Sequence, residues 1–203
     1  STDWRNFDGA FTGCSNLDVT ATDKPYLEDV QYMNNMFYNC KNLKNTNGSI
    51  NTWDVSNVVH MQNMFYGDSL FNQPLNNWNT EKVQYMGGMF YNAASFNQPL
   101  SWNTSKVTDM SSMFYGAKAF NSAINFTNTE KVQYMNHMFW GAKAFNQPLS
   151  FNTSSVTNMS NMFYNAVSFN SPLNFTNTSK VQWMSGMFYN DSAFNQQVNF
   201  NTS

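Results

Sequence analysis

Aromatic side chains recur along this chain at regular spacing, and they are the residues best suited to binding chemistry. Tyrosine and tryptophan rings beside amide side chains can stack on sugar rings or anchor a partner protein, because they supply a large contact area at low entropic cost. The same spacing also fits rings that stack on one another as a structural ladder. The candidate binding residues form one column after each Met-Phe pair, Tyr38, Tyr66, Tyr91, Tyr115, Trp140, Tyr164 and Tyr189, and a second column at every second repeat, Tyr32, Tyr85, Tyr134 and Trp183.

Two cysteines are the next candidates. Cys14 and Cys40 occupy the same position of neighbouring repeats, where later repeats have alanine or aspartate. Adjacent strands of a sheet lie about 4.8 Å apart, which is within the Cα separation that a disulfide needs. A disulfide joining the two repeats is therefore geometrically reasonable. The alternative is a pair of small buried thiols that fill an alanine-sized column.

Other kinds of site find little support. His60 and His137 lie at different positions of the repeat and have no neighbouring motif of metal ligands, so we expect no metal site. No serine, cysteine or aspartate stands in a motif that would pair it with an activating base, so we expect neither an enzyme nor a cofactor. Charged residues are only 11% of the chain and the net charge is −2, which does not favour nucleic acid. No apolar run is long enough to span a membrane.

The element that must position these residues is a repeat of about 25 residues. Its clearest marker is the pair Met-Phe, which recurs in steps of 28, 25, 24, 25, 24 and 25 residues. A fixed period in the range of roughly 20–50 residues is typical of units that cannot bury their apolar face alone and must stack into a solenoid. The pairs are Met36-Phe37, Met64-Phe65, Met89-Phe90, Met113-Phe114, Met138-Phe139, Met162-Phe163 and Met187-Phe188.

Each repeat divides into two segments. Val107, Met110, Met113-Phe114 and Ala117 follow the spacing of one helical face, and the poor helix formers between them favour a short helix or 3-10 turn. The segment 96–102 alternates apolar and polar residues after a proline, which predicts a short strand. One strand and one helical turn in each repeat predict an α/β solenoid of the leucine-rich-repeat type, with its strands in a parallel sheet.

The domain organisation follows from the repeat. Residues 1–25 contain a degenerate version of the Met-Phe segment and are predicted to be an N-terminal repeat or cap. Residues 26–203 are predicted to form a solenoid of about seven repeats, and the whole chain a single domain. The start shows no signal peptide, and the last residues, 201–203, lack a polar cap, so we expect a cut edge or a docking edge there.

Two polar columns accompany the apolar ones. In-register asparagine amides can hydrogen-bond from repeat to repeat, so we assign the asparagine column to the fold. The threonine column can cap the helical turns or present a flat array of the kind that binds ice. The columns are Asn72, Asn97, Asn121, Asn146, Asn170 and Asn195, and Thr80, Thr104, Thr129, Thr153, Thr178 and Thr202.

The repeat resembles a known family. Trp53-Asp54-Val55-Ser56-Asn57-Val58, Met64-Phe65, Phe71-Asn72-Gln73-Pro74-Leu75 and Trp78-Asn79-Thr80 are similar to the repeats of BspA-like leucine-rich-repeat proteins, found in bacterial surface proteins and mycoplasma lipoproteins. This resemblance covers roughly residues 26–203. It implies an extracellular or surface-attached array that takes part in adhesion and partner binding, and it carries over no catalytic residue. The chain departs from the family in showing no anchor or lipidation motif.

Three functions are therefore open. The first is non-enzymatic recognition of a protein or glycan at a cell surface. The second is end-to-end self-assembly into a filament or surface layer, because a heterologous contact that does not close produces a filament. The third, binding of ice or a mineral surface, depends on the threonine and asparagine columns alone.

Overall fold

The computed structural model describes residues 5–200, and regular secondary structure is sparse in this range. One 3-10 helix covers Ser49–Thr52. Strand β1 is Leu149–Phe151 and strand β2 is Leu173–Phe175. The two strands pair in parallel, with Leu149 opposite Leu173 and Phe151 opposite Phe175. Equivalent residues of consecutive repeats thus face each other.

The same parallel register extends well beyond the two strands. Single bridges join equivalent residues of neighbouring repeats, for example Leu100 to Ile124 and Asn103 to Thr127. One unbroken series of bridges runs through every repeat in the described range. Its members are Asn6, Tyr32, His60, Tyr85, Asp109, Tyr134, Asn158 and Trp183.

The Met-Phe segment is a series of hydrogen-bonded turns, whereas the sequence predicts a short helix or 3-10 turn there. In the repeat at Met110, the amides of Met113, Tyr115 and Ala117 donate to carbonyls three residues back in the same segment. The intervening amides of Ser112 and Gly116 donate instead to the following repeat. Alternate amides therefore close the turns and join the repeats. A 3-10 helix, Ser49–Thr52, occurs only in the 28-residue repeat within the described range.

Positive φ angles explain why turns replace a helix. Each Met-Phe segment has two left-handed positions that are four residues apart, such as Ser112 at φ 54° and Gly116 at φ 65°. Left-handed residues interrupt a right-handed helix and suit position i+2 of a type II turn, where glycine and asparagine are favoured. The corresponding pairs in other repeats include Asn35 and Asn39, Asn63 and Gly67, Gly88 and Asn92, His137 and Gly141, and Asn161 and Asn165.

Continuous aromatic columns fill the interior. The phenylalanines of the Met-Phe pairs from Phe37 to Phe163 are fully buried, and their ring centroids are 5.5 or 5.6 Å apart. A parallel column of buried rings includes Phe96 and Phe120, whose centroids are 5.9 Å apart. Trp102 is also buried, and its indole N–H donates to the carbonyl of Leu75 at 3.1 Å. Every repeat thus completes the core of the next one.

The asparagine column connects the repeats, as predicted. The side-chain oxygen of Asn97 accepts from the backbone N–H of Asn121 at 2.8 Å, and Asn72 and Asn97 are related in the same way at 2.9 Å. The donor is a backbone amide rather than a side-chain amide. The bonds continue from Asn121 to Asn146, Asn170 and Asn195.

The threonine column has a different position from the one that an ice-binding array needs. Thr80, Thr104, Thr129, Thr153 and Thr178 are buried. The hydroxyl of Thr104 donates to the carbonyl of Thr127 at 2.7 Å, and that of Thr80 to the carbonyl of Asn103 at 2.9 Å. These hydroxyls join one repeat to the next. The prediction of an exposed threonine surface is therefore wrong. Thr202 lies outside the described residues.

The N-terminal segment uses the same bonds as the later repeats. The amides of Gly9, Phe11 and Gly13 donate to carbonyls of residues 34, 36 and 38. The ring of Phe11 stacks on Phe37 with a centroid distance of 5.6 Å. Residues 5–25 thus pack on the following repeat as that repeat packs on the next.

Candidate functional site

The aromatic residues that follow Met-Phe form what we call the closed column. Its rings stack on one another from each repeat to the next, with centroids between 3.8 and 5.5 Å apart. Because each ring covers its neighbours, the members are half-buried except Tyr189, which is 61% exposed. The stacking matches the structural ladder that the sequence left open. The members are Tyr38, Tyr66, Tyr91, Tyr115, Trp140, Tyr164 and Tyr189.

Close packing also changes the acidity of this column. Burial raises the pKa of Tyr91 to about 12, and the neighbouring phenol of Tyr115 adds to the effect. Burial likewise raises the pKa of Tyr66. Tyr66 and Tyr91 therefore keep their phenol protons to a higher pH than a free tyrosine does.

The bridged series from Tyr32 to Trp183 forms what we call the open column. Aromatic rings occupy every second repeat, and other residues occupy the repeats between them. At its N-terminal end His60 lies between Tyr32 and Tyr85, with ring centroids 4.7 and 4.8 Å from its own. The members are Tyr32, His60, Tyr85, Asp109, Tyr134, Asn158 and Trp183.

Beyond Tyr85 the intervening residues carry no ring. The side-chain oxygen of Asp109 accepts from the backbone N–H of Ser111 at 2.8 Å, and that of Asn158 accepts from the N–H of Ser160 at 2.9 Å. These side chains are thus bonded to their own turns. The rings on either side remain exposed, Tyr134 by 43% and Trp183 by 54%.

A cleft of about 540 Å³ opens between the last two rings of the open column. Tyr134 and Trp183 line it together with Asn158 between them. Its other lining residues are Thr157, Ser160 and Gln182, so hydroxyl and amide groups surround the rings and no lining residue is charged. Aromatic faces bordered by neutral hydrogen-bonding groups can bind an uncharged ligand.

Two further clefts are lined mainly by polar groups. One of about 660 Å³ borders the 3-10 helix in the longest repeat and includes Leu70, which is 60% exposed. The other, of about 360 Å³, is lined by Arg5, Asp29, Gln31 and Tyr32 at the start of the open column. Neither contains a pair of exposed rings.

The cysteines are free thiols, not the disulfide that the sequence left open. Cys40 is buried and its thiol donates to the carbonyl of Phe11 at 2.9 Å, whereas Cys14 is exposed. Burial raises the pKa of Cys40 to about 12, which disfavours the reactive thiolate. Asp68 occupies the same column in the next repeat, and burial raises its pKa to about 8.

The two histidines have separate environments. His60 belongs to the open column, whereas His137 occupies a left-handed position in a turn and lies 3.0 Å from the amide nitrogen of Asn136 and 3.3 Å from that of Asn161. Burial lowers the pKa of His137. Within residues 5–200, no three histidine, cysteine, aspartate or glutamate side chains are grouped as metal ligands.

Sequence reasoning identified the rings of the open column but missed the residues between them. The signal was present, since His60, Asp109 and Asn158 directly precede the first methionine of their repeats, as Tyr85 and Tyr134 do. His60 carries a ring and stacks on its neighbours, whereas Asp109 and Asn158 carry none. This change of residue type separates the stacked part of the column from the part without stacking.

The family assignment agrees with this repeated architecture. The chain belongs to the family described as "Mycoplasma protein of unknown function, DUF285", whose model matches residues 5–125 and 100–201. The overlap of the two matches indicates a repeated sequence, and the mycoplasma part of the resemblance is confirmed. No curated protein and no solved structure matches the chain. In the described part of the chain, no helix has the length and apolar character needed to cross a bilayer.

Proposed function

We propose that this protein is a non-enzymatic repeat protein that recognises a protein or glycan partner at a cell surface. Its fold is proposed to be a BspA-like solenoid of the leucine-rich-repeat type. The parallel bridges between equivalent residues and the aromatic columns that continue from repeat to repeat support this fold. An extracellular or surface location is part of the proposal and derives from the family resemblance.

The observation that carries the function is the exposure of the rings in the open column. Tyr32, Tyr134 and Trp183 are 41%, 43% and 54% exposed, whereas the members of the closed column from Tyr38 to Tyr164 are half-buried because neighbouring rings cover their faces. Large rings with exposed faces and neighbouring hydrogen-bonding groups are the type of residue that dominates binding energy at protein and glycan interfaces.

The test is a triple variant, Tyr85→Ala with Tyr134→Ala and Trp183→Ala. Wild type and variant are applied to a panel of immobilised glycans and purified extracellular matrix proteins, with circular dichroism to check the fold. We expect the variant to remain folded and to lose at least tenfold in affinity for whatever the wild type binds. Tyr115→Ala, in the closed column, is the matched control and should retain binding. Binding that persists in the folded triple variant would contradict the proposal.

End-to-end self-assembly is the second candidate, because the ring columns have the same form in every repeat. Phe188 and Phe194, for example, stack on Phe163 and Phe169 with centroids 5.5 and 5.8 Å apart. A second copy could continue these columns. Light scattering over a hundredfold range of concentration tests it, since assembly predicts a mass that grows with concentration and a recognition module predicts a constant 23.3 kDa.

A further inference from the structure

The N-terminal part of the open column contains a built-in example of a sandwiched ring. His60 lies between Tyr32 and Tyr85, nearly parallel to both, with interplanar angles of 18° and 19°. Its centroid is 4.7 Å from one ring and 4.8 Å from the other. Two rings that are two repeats apart in this column therefore leave room for one additional flat ring.

The C-terminal part of the column has the same register without the middle ring. Tyr134, Asn158 and Trp183 are joined by successive parallel bridges, as Tyr32, His60 and Tyr85 are. Parallel strands are about 4.8 Å apart, so the backbones carrying Tyr134 and Trp183 are separated by roughly 9.6 Å. Because the oxygen of Asn158 is bonded to the N–H of Ser160, its side chain does not replace the missing ring.

The polar groups of this cleft suit hydroxyl groups. Asn158 and Gln182 offer side-chain amides, and Thr157 and Ser160 offer hydroxyls. Thr157 uses its hydroxyl proton on the carbonyl of Gln133 at 3.3 Å, which leaves its oxygen able to accept. All of these groups are neutral. The next gap in the column, between Tyr85 and Tyr134, contains Asp109 instead, so the neutral chemistry is specific to the C-terminal gap.

We propose that the cleft between Tyr134 and Trp183 is a carbohydrate subsite, in which one neutral sugar ring lies between the two aromatic rings where His60 lies in the N-terminal part. The sugar's C–H face would contact the rings, and its hydroxyls would bond to Asn158, Thr157 and Gln182. This inference rests on the proposed recognition function and specifies its ligand. A neutral sugar is favoured over a peptide because the lining offers two ring faces and no charge to pair with a peptide's ionic groups.

The sharpest test fills the gap without removing either ring. Asn158→His places in the C-terminal gap the ring that His60 places in the N-terminal gap, so the parent structure already accommodates this substitution geometrically. Asp109→His is the matched control, because it places the same ring in the neighbouring gap between Tyr85 and Tyr134 and leaves the C-terminal gap open. Wild type and both variants are compared on an array of neutral hexose and N-acetylhexosamine oligosaccharides, and the strongest wild-type ligand is titrated by calorimetry.

The expected result is that Asn158→His weakens binding of that oligosaccharide at least tenfold, whereas Asp109→His stays within about fivefold of wild type. Thermal unfolding should show that both variants are folded.

Two results would overturn the inference. One is equal sugar binding by wild type and folded Asn158→His, which would mean that no ring enters the gap. The other is a wild type that binds no neutral oligosaccharide on the array. If that wild type instead binds a purified matrix protein, and the triple alanine variant loses it, the carbohydrate subsite fails while the proposed recognition function stands.

Discussion

The closed and the open column both carry tyrosine and tryptophan rings on the same repeat, yet only the closed column has a ring in every Met-Phe repeat. In the closed column every Met-Phe repeat contributes a ring, as at Tyr91 and Tyr115, whose centroids are 4.3 Å apart. In the open column the rings beyond Tyr85 alternate with Asp109 and Asn158. An internal ring of the closed column contacts a ring on both sides, whereas Tyr134 has no ring in either neighbouring repeat.

The difference shows how one repeat can carry a stabilising stack and also the rings to which the proposed recognition function is assigned. An array of stacked repeats gains stability from interfaces between nearest neighbours, so a column with a ring in every Met-Phe repeat strengthens each of those interfaces. Replacement of alternate rings by residues that bond to their own turns sacrifices part of that stacking. The surface that becomes available is a row of ring faces with a period of two repeats.

The buried phenylalanine column sets the upper limit for what a ring can contribute to stability. Phe114 is fully buried and stacks on Phe90 and Phe139 at 5.6 and 5.5 Å. Phe114→Ala should reduce the free energy of unfolding by about 3–5 kcal/mol, since a cavity replaces the ring. Urea unfolding measures this loss. A loss below that of any ring in the closed column would contradict the view that burial determines the contribution.

The buried carboxyl group of Asp68 should affect the stability of the interior and leave ligand binding at the open column unchanged. Burial raises the pKa of Asp68 from 3.8 to about 8, so the folded state keeps a proton that the unfolded state releases. Stability is therefore full below about pH 4 and falls as the pH rises toward 8. Later repeats have alanine at this position. Asp68→Ala should remove that fall and raise the free energy of unfolding at pH 8.5 by on the order of 3 kcal/mol relative to wild type.

Unfolding free energies at pH 4 and pH 8.5 test this prediction. Wild type and variant should differ little in their pH response if Asp68 ionises normally, and that outcome would contradict the buried-acid account. Ligand binding at the open column should be the same in both proteins at pH 7.

Removal of a single ring from the closed column should lower the free energy of unfolding less than removal of a core phenylalanine. Tyr115 is half-buried between Tyr91 and Trp140, at 4.3 and 5.5 Å. Tyr115→Ala should cost roughly 1–3 kcal/mol through lost stacking and burial. Urea unfolding measures this loss. A loss as small as that expected for an exposed residue would contradict the structural role of the closed column.

The smallest expected effect is a pH response of the same column. Because the pKa of Tyr91 is raised to about 12, an unfolded chain ionises at this residue before the folded chain does. Stability should therefore fall as the pH rises from 10 to 12, and Tyr91→Phe should show a shallower fall. Unfolding midpoints at pH 9.5 and 11.5 measure the difference. Identical slopes in both proteins would mean that the phenol is not shielded by its neighbours.

The columns could be predicted from the sequence better than the local backbone conformation could. Periodicity alone put equivalent residues next to each other, so the bonds of the asparagine column and the continuous stack of the closed column could be anticipated. The turns could not, because they depend on positive φ angles at residues such as Ser112 and His137, which sequence spacing does not reveal. The apolar spacing of the Met-Phe segment predicts a helix because a series of turns buries residues with a period similar to that of a helix.

The candidate site was only partly predictable for a related reason. Rings at Tyr134 and Trp183 were evident, but whether they stack or stand apart depends on the intervening residue and on where its side chain bonds. Asn158 turns back to Ser160, which is a local hydrogen bond that composition does not show. The burial of Thr104 was likewise hidden, because threonine is as common on exposed surfaces as beneath a turn.

The most direct test of the account compares Trp183→Ala with Tyr115→Ala in two readouts, the free energy of unfolding and binding to the panel of glycans and matrix proteins. We predict that Trp183→Ala keeps its stability within about 0.5 kcal/mol and loses binding, whereas Tyr115→Ala loses stability and keeps binding. If Trp183→Ala is as unstable as Tyr115→Ala and still binds every wild-type partner, the open column is a structural stack and the account is wrong.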